Sequence, residues 1–354
     1  MAFSIHQPAA GGVRGLSRQT VLKPSHSQKP AKVDQDHLLD YAIRRASEND
    51  LDDLFELAEL SGAGFTSLPV NRALLAARLK EATKKNTEDH LLMLQHKSTG
   101  KVVGCAAIKA RSGITQAHWN FRLSGADAAS PEISADTVLI PTRTFAGASE
   151  LGSLFLHPDH RLPGVGRFLS LSRLMLIGSF PDRFSSLLWS ELRGVVSSDA
   201  YCPFYEAVMG PRLKIAFKEA DHRFALSGDA GLRAYLPNSP VRVGDLPESV
   251  RGIIGQTHEA GRGARRLLEG AGFSFSGVVD LFDGGPIVAA MKEDLPLIAK
   301  AKPADGTDRT ATTRRSLVAD FDRDGRFSCQ VAVPHKTIAP SGFSLSANRV
   351  IATF

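Results

Sequence analysis

Apolar and polar residues alternate through Tyr41-Ala42-Ile43-Arg44-Arg45, which predicts a short strand. Leu51, Leu54, Phe55, Leu57 and Ala58 then fall at helical spacing behind Asn49 and Asp50, either of which can cap, and Gly62-Ala63-Gly64 ends the helix. A second helix is expected over 71–85, with Leu74, Leu75, Leu79 and Ala82 on one side. The apolar runs 90–94 and 102–108 read as strands joined by a turn at 97–100. A further strand over 150–156 enters His157-Pro158, a long helix follows over 166–177, and 186–191 is again a strand. The order strand, helix, helix, strand, strand, strand, helix, strand predicts a mixed α/β (α+β) sheet with one helix crossing after a central strand. Near the end, Leu317, Val318, Ala319, Cys329, Val331 and Val333 lie in stretches that alternate apolar and polar residues, as strands do.

Composition narrows the class. With 354 residues, 43% hydrophobic and 23% charged, the chain can bury one large or two ordinary cores. No apolar run approaches the roughly 18–20 residues of a membrane span, so no membrane partner is expected. Cys105, Cys202 and Cys329 lack CxxC spacing, so neither a disulfide framework nor a metal site is expected, and a reducing, cytoplasmic setting fits. The net charge is +6, but Arg14, Arg18, Lys23, Lys29 and Lys32 supply five of those charges from an acid-free stretch. The remainder is nearly neutral, so no nucleic-acid partner is expected. Residues 1–40 read as a disordered basic extension; Gly11-Gly12, Pro24 and Pro30 break the amphipathic helix that a transit peptide would need. The body divides into 41–225, 226–300 and 301–354.

The densest chemical signal is Leu154-Phe155-Leu156-His157-Pro158-Asp159-His160-Arg161-Leu162-Pro163-Gly164-Val165-Gly166-Arg167, a strand, a turn and a helix start. Gly164 and Gly166 leave the backbone open to close approach, and free amides with the helix dipole favour an anion there. Arg161 and Arg167 add charge. A diphosphate suits this turn, although a ligand-free Gly-rich turn would carry the same residues. No Walker lysine follows and the spacing is not that of a dinucleotide fingerprint. Placed after the expected fourth strand, the turn resembles the acyl-CoA pyrophosphate loop of the GCN5-related N-acetyltransferase (GNAT) fold.

Seven further pieces are similar to the arginine N-succinyltransferase family: Gly62-Ala63-Gly64-Phe65-Thr66-Ser67-Leu68-Pro69, Trp119-Asn120-Phe121-Arg122, Ser149-Glu150-Leu151 running into Leu154-Phe155-Leu156, Glu191-Leu192-Arg193-Gly194-Val195, Pro203-Phe204-Tyr205, Gly255-Gln256-Thr257-His258 and Asp280-Leu281-Phe282-Asp283-Gly284-Gly285-Pro286. The resemblance implies an acetyltransferase-like sheet with an added C-terminal half, and a small β module over 301–354. It implies transfer of succinyl from succinyl-CoA, a co-substrate rather than a tightly bound cofactor, to the α-amino group of L-arginine, ornithine also serving some members. It implies His258 as proton donor and Leu154 at the acyl-CoA, with Leu156, Arg161, Gly164, Gly166 and Arg167 beside it. Glu150 is a candidate base or substrate-ammonium ligand. Asn120 lies in a matched piece, and Arg122 and Arg193 are candidate carboxylate ligands by virtue of their planar forks; structural ion pairing is the alternative for each arginine. Some members form paired subunits, so homo- and hetero-oligomers, including a non-catalytic subunit, stay open.

Two segments depart from the family pattern. Arg143-Thr144-Phe145-Ala146-Gly147 stands where an Asn-Asp pair is usual, and Ser239 and Arg242 replace a histidine and a tyrosine. Added arginines would repel a cationic acceptor and favour an acidic one.

Overall fold

The computed structural model describes residues 36–62, 67–115, 117–124, 133–227, 231–304, 314–334 and 348–354. Most of the expected basic extension and the centre of the Gly62 piece lie outside the described residues. Asp36–Asp40 is a 3-10 turn with Leu38 buried, and it leads into β1 (Tyr41–Arg45). Next come α1 (Leu51–Ser61) and α2 (Arg72–Ala82). Asp50 precedes α1 without capping it through its side chain. Its carboxylate instead accepts from the Ser47 amide at 2.7 Å and from Arg44 at 2.8 and 2.7 Å. Asn71 does cap α2, through the Leu74 amide. Leu75, Leu79 and Ala82 are buried as expected, whereas Leu74 is exposed.

The long apolar runs become β2 (Asp89–His96) and β3 (Val102–Lys109). Two strands that the hydrophobic pattern does not announce follow, β4 (Asn120–Ser124) and β5 (Val138–Thr142). The strand entering the phosphate turn is therefore the sixth, not the fourth: β6 (Ser149–Leu156), followed by α3 (Val165–Ser179) and β7 (Leu187–Glu191). The chain continues through α4 (Pro203–Val208), α5 (Gly210–Leu213), α6 (Phe217–Ser227), β8 (Val241–Arg242), α7 (Glu248–Arg251) and α8 (Arg262–Glu269). It ends with β9 (Ser274–Asp280), β10 (Pro286–Met291), α9 (Pro296–Ala299), β11 (Lys302–Ala304), β12 (Ser316–Phe321), β13 (Phe327–Ala332) and β14 (Asn348–Thr353).

These strands make one sheet in the order β11-β14-β12-β13-β1-β2-β3-β6-β7-β10-β9-β4-β5-β8. Among the described strands every neighbouring pair is antiparallel except β6 with β7. The C-terminal strands β11, β14, β12 and β13 extend the same sheet in series, because β13 pairs with β1 (Ile43 opposite Cys329). α3 packs Phe168, Leu169 and Leu176 onto one face. α1 and α2 cover the other face with Leu54, Leu57, Leu75 and Leu79. A further core joins Phe121, Val279 and Leu281 to α4 and α6. No described helix is long and apolar enough to cross a membrane.

Candidate functional site

β6 is the axis of the site. Ser149, Leu151, Ser153 and Phe155 are buried, while Glu150, Gly152, Leu154 and Leu156 are only half-buried. Its ladder with β3 slips between Cys105 opposite Phe155 and Ala107 opposite Gly152, so Ser153 and Leu154 face one residue, a β-bulge. Ser153 takes a positive φ of 49° there. The bulge is held from outside the strand. Arg78 donates to Ser153 Oγ at 3.1 Å and to the Ser67 carbonyl at 2.7 Å while gripping Asp89 at 2.7 and 3.2 Å. Burial works against the Arg78 charge, but Asp89 outweighs it and leaves the guanidinium above its usual range. β7 pairs with β6 only at Ser149–Leu188 and Glu150–Trp189, with a last tie from Ser190 Oγ to the Leu151 carbonyl at 2.7 Å. From Gly152 onward the strands part, leaving an open strand edge that can pair with an extended, amide-bearing ligand.

That edge leads to the glycine turn. Gly164 caps α3 at φ 89°, a left-handed conformation that favours glycine. A Cβ on Gly166 would meet only Leu156 and Leu267, both at 3.9 Å, so the fold itself does not demand a glycine there. The Val165 amide turns back to the Leu162 carbonyl, while those of Gly164, Gly166 and Arg167 find no acceptor among the described residues. Arg161 is exposed, with Nε donating to the Leu156 carbonyl at 3.2 Å and its fork over the Phe155 ring. Arg167 is exposed over the Phe354 ring. The structure thus brings Leu154, Leu156, Arg161, Gly164, Gly166 and Arg167 together.

Three of the matched pieces interlock beyond the end of β7. The Leu192 amide bonds the Pro286 carbonyl, the Gly255 amide that of Gly284, and the His258 amide that of Arg193 at 2.8 Å. A Cβ on Gly194 would overlap the Asp283 carbonyl, and one on Gly285 the Leu192 carbonyl, so only glycine fits either place. His258 caps a 3-10 turn with Nδ1 accepting from the Ala260 amide at 3.2 Å. The neutral ring therefore carries its proton on Nε2.

The face of the sheet beside the parting strands carries Glu150, Trp189, Glu191, Asp280, Asn120 and Arg122, as ladder pairing across β6, β7, β10, β9 and β4 requires. Ser112 donates to Glu150 at 2.7 Å and Lys109 lies 3.7 Å away. Burial pushes the Glu150 carboxyl up, but Lys109, His118 and Ser112 together hold it below the usual carboxylate range. His118, which the sequence pattern does not single out, bonds Glu191 at 3.0 Å and meets Trp189 edge-on. Phe145 stacks on Trp189. Asn120 is fully buried, and neither of its side-chain polar atoms has a partner among the described residues. It lies opposite Asp280, whose carboxyl is raised well above its usual value by burial and by Asp283 and Glu191. Arg122 is exposed, with no ion pair among the described residues.

Arg193 follows the structural alternative. Its two terminal nitrogens bond Asp221 at 2.7 and 2.8 Å, Nε lies 3.4 Å from Asp283, and the fork covers Phe217. Asp221 sits on α6, 28 residues away, and no local pattern announces it. Cys202 and Tyr205 are buried under the helices, both pushed up to about 12 chiefly by burial, with the tyrosine hydroxyl on the Ile215 carbonyl. Neither is on the β6 edge. Arg143 is exposed, bonds the Gly113 carbonyl at 2.7 Å and lies over Trp119. Arg242 is exposed on β8.

The family model of the arginine N-succinyltransferase beta subunit matches residues 41–296. Arginine N-succinyltransferases of Shigella dysenteriae serotype 1 and Escherichia coli O139:H28 are each 33% identical over 282 residues, which is 75% of this chain and 82% of theirs. The structure of arginine/ornithine succinyltransferase subunit AI from Pseudomonas aeruginosa has the same fold, with a TM-score of 0.74 at 24% identity over 88% of this chain and 98% of that one. The parted strands, the glycine turn and these matches agree that the chain belongs to the arginine N-succinyltransferase family.

Proposed function

We propose that the protein transfers succinyl from succinyl-CoA to the α-amino group of L-arginine by direct attack. The observation that carries this reading is the parting of β6 and β7 directly ahead of the Gly164–Gly166 turn, in a chain of this family. The donor's diphosphate takes the amides of Gly164, Gly166 and Arg167, and its pantetheine arm pairs with the open edge at Leu154 and Leu156. Glu150, ionised by its neighbours, accepts a proton from the acceptor's ammonium, directly or through one water. The amine forms its bond to the thioester carbon, the carbon–sulfur bond breaks, Nε2 of His258 supplies the proton to the departing thiolate, and the second proton that the nitrogen sheds as the amide forms passes through water to restore the imidazole. Glu191 and Asn120 suit a cationic acceptor. With Arg193 already neutralised, Arg122 is the better partner for the succinyl carboxylate.

A free-thiol release assay with succinyl-CoA and an amino-acid panel tests this. Release that depends on L-arginine, lowered about 10²–10⁴-fold in His258→Ala and Glu150→Gln, is expected. One observation favours a second acceptor class: Arg143 places a cation over Trp119, next to Asn120. Release with neutral or acidic amino acids only would move the acceptor there. CoA binding without release for any acceptor would instead mark a non-catalytic subunit.

A further inference from the structure

A cavity of about 630 Å³ lies alongside the first two turns of α3, within the usual size of small-ligand pockets. Leu171 and Phe354 contribute to its apolar lining, and Arg167, Lys300, Lys302 and Arg314 bring four cations to it. None of the four has an ion-pair partner among the described residues, and no aspartate or glutamate is among the described lining residues. Like charges gathered around one cavity favour an anion there. Apart from the α3 residues, all of these groups come from the stretch beyond α9, so the C-terminal strands build the cavity's charge. Arg167 joins the cavity to the glycine turn: its amide is one of the unpartnered group, and its guanidinium lies over Phe354 at the cavity. The arrangement suits a ligand with two anionic groups on one sugar and a planar base beside them.

We propose that this cavity receives the adenosine 3′-phosphate end of the CoA donor, an inference that rests on the acyl-CoA reading above. Lys300, Lys302 and Arg314 meet the 3′-phosphate, and the adenine lies against Phe354 and Leu171. The ribose alone separates that phosphate from the diphosphate on the glycine turn, which matches the sharing of Arg167 between the two places.

Succinyl-dephospho-CoA, which lacks only the 3′-phosphate, is the direct probe. The wild-type protein should show a KM for succinyl-CoA about tenfold or more below that for the dephospho donor, the scale of a charge-assisted hydrogen bond. The variant Lys300→Ala/Lys302→Ala/Arg314→Ala should collapse that ratio by raising the KM for succinyl-CoA. Gly166→Ala should raise both values together, because the diphosphate is common to both donors. Equal KM values in the wild type, or a ratio preserved in the triple variant, would overturn the inference. Failure to bind or use either donor would overturn the acyl-CoA reading together with it, a result distinct from equal use of both.

Discussion

Replacing Arg193 by Met separates a structural cation from a substrate ligand. In the folded protein its guanidinium makes two short bonds to Asp221, stands 3.4 Å from Asp283 and covers Phe217. The side chain of Asp283 is only 4% exposed and that of Asp221 15%, so both carboxylates would lose their counter-ion in a poorly solvated place. Removing one partner of a buried pair typically costs about 3–5 kcal/mol, more than the bonds are worth net, because the orphaned charge stays behind. Methionine retains much of the aliphatic stem, which limits any packing loss. For a chain of this size, at about 2.1 cal/mol/K of unfolding entropy per residue, that corresponds to a Tm lower by roughly 4–8 °C. The Arg193 carbonyl also receives the His258 amide, so kcat should fall as the loop loosens. Thermal unfolding beside steady-state kinetics is the assay. A Tm within 2 °C of wild type, with the amino-acid KM raised about tenfold, would refute the structural assignment and return Arg193 to the substrate.

Gly166→Ala should move two readouts in opposite directions. Alanine gains about 0.5–1 kcal/mol in the helix, raising Tm, while the added methyl crowds the donor's diphosphate by about 1–3 kcal/mol and raises its KM; a lower Tm or an unchanged KM would contradict this. Gly194→Ala should leave little soluble protein, since its Cβ would overlap the Asp283 carbonyl, and normal expression with a wild-type Tm would count against the packing described. Asp280 is raised by burial and by Asp283 and Glu191, so the folded chain keeps a proton that the unfolded chain gives up earlier. Stability therefore falls as pH rises from the ordinary carboxylate range through the folded value. Asp280→Asn keeps an oxygen for the Phe282 and Asp283 amides while removing the charge, so the fall of Tm with rising pH should flatten; an unaltered pH slope would exclude Asp280 as its source.

Continuous apolar runs announced β2 and β3, which are buried on both faces, and shorter or alternating stretches announced β1, β6 and β7, together with α3. β4 and β5 have five residues each, and Pro141 interrupts the second. Pro141 is tolerated because β8 pairs only with Val138 and Leu139, so the proline forfeits no ladder bond on that side. The glycine turn was legible because its chemistry is local: amides, glycines and a helix start within a few residues. His118 was not, because its bond to Glu191 exists only once β4 has been carried across β9 and β10 to the neighbourhood of β7. Arg193 could be singled out by residue type, yet its commitment to Asp221 depends on where α6 packs. The matched pieces at Glu191–Val195, Gly255–His258 and Asp280–Pro286 fall into one interlocked loop cluster, which gives their glycines a steric reason.

The pairing of β13 with β1 also orders events during synthesis. β1 is the first of the described strands to leave the ribosome, yet its outer partner arrives with Phe327–Ala332, almost three hundred residues later. Throughout that interval one edge of the nascent sheet offers unsatisfied amides and carbonyls to any other extended segment. Arg45, which sits on that strand, places positive charge beside it and discourages pairing with a second copy until the late strand closes it. A chain cut before Phe327 is accordingly not a trimmed enzyme but one whose oldest strand never loses its exposed edge.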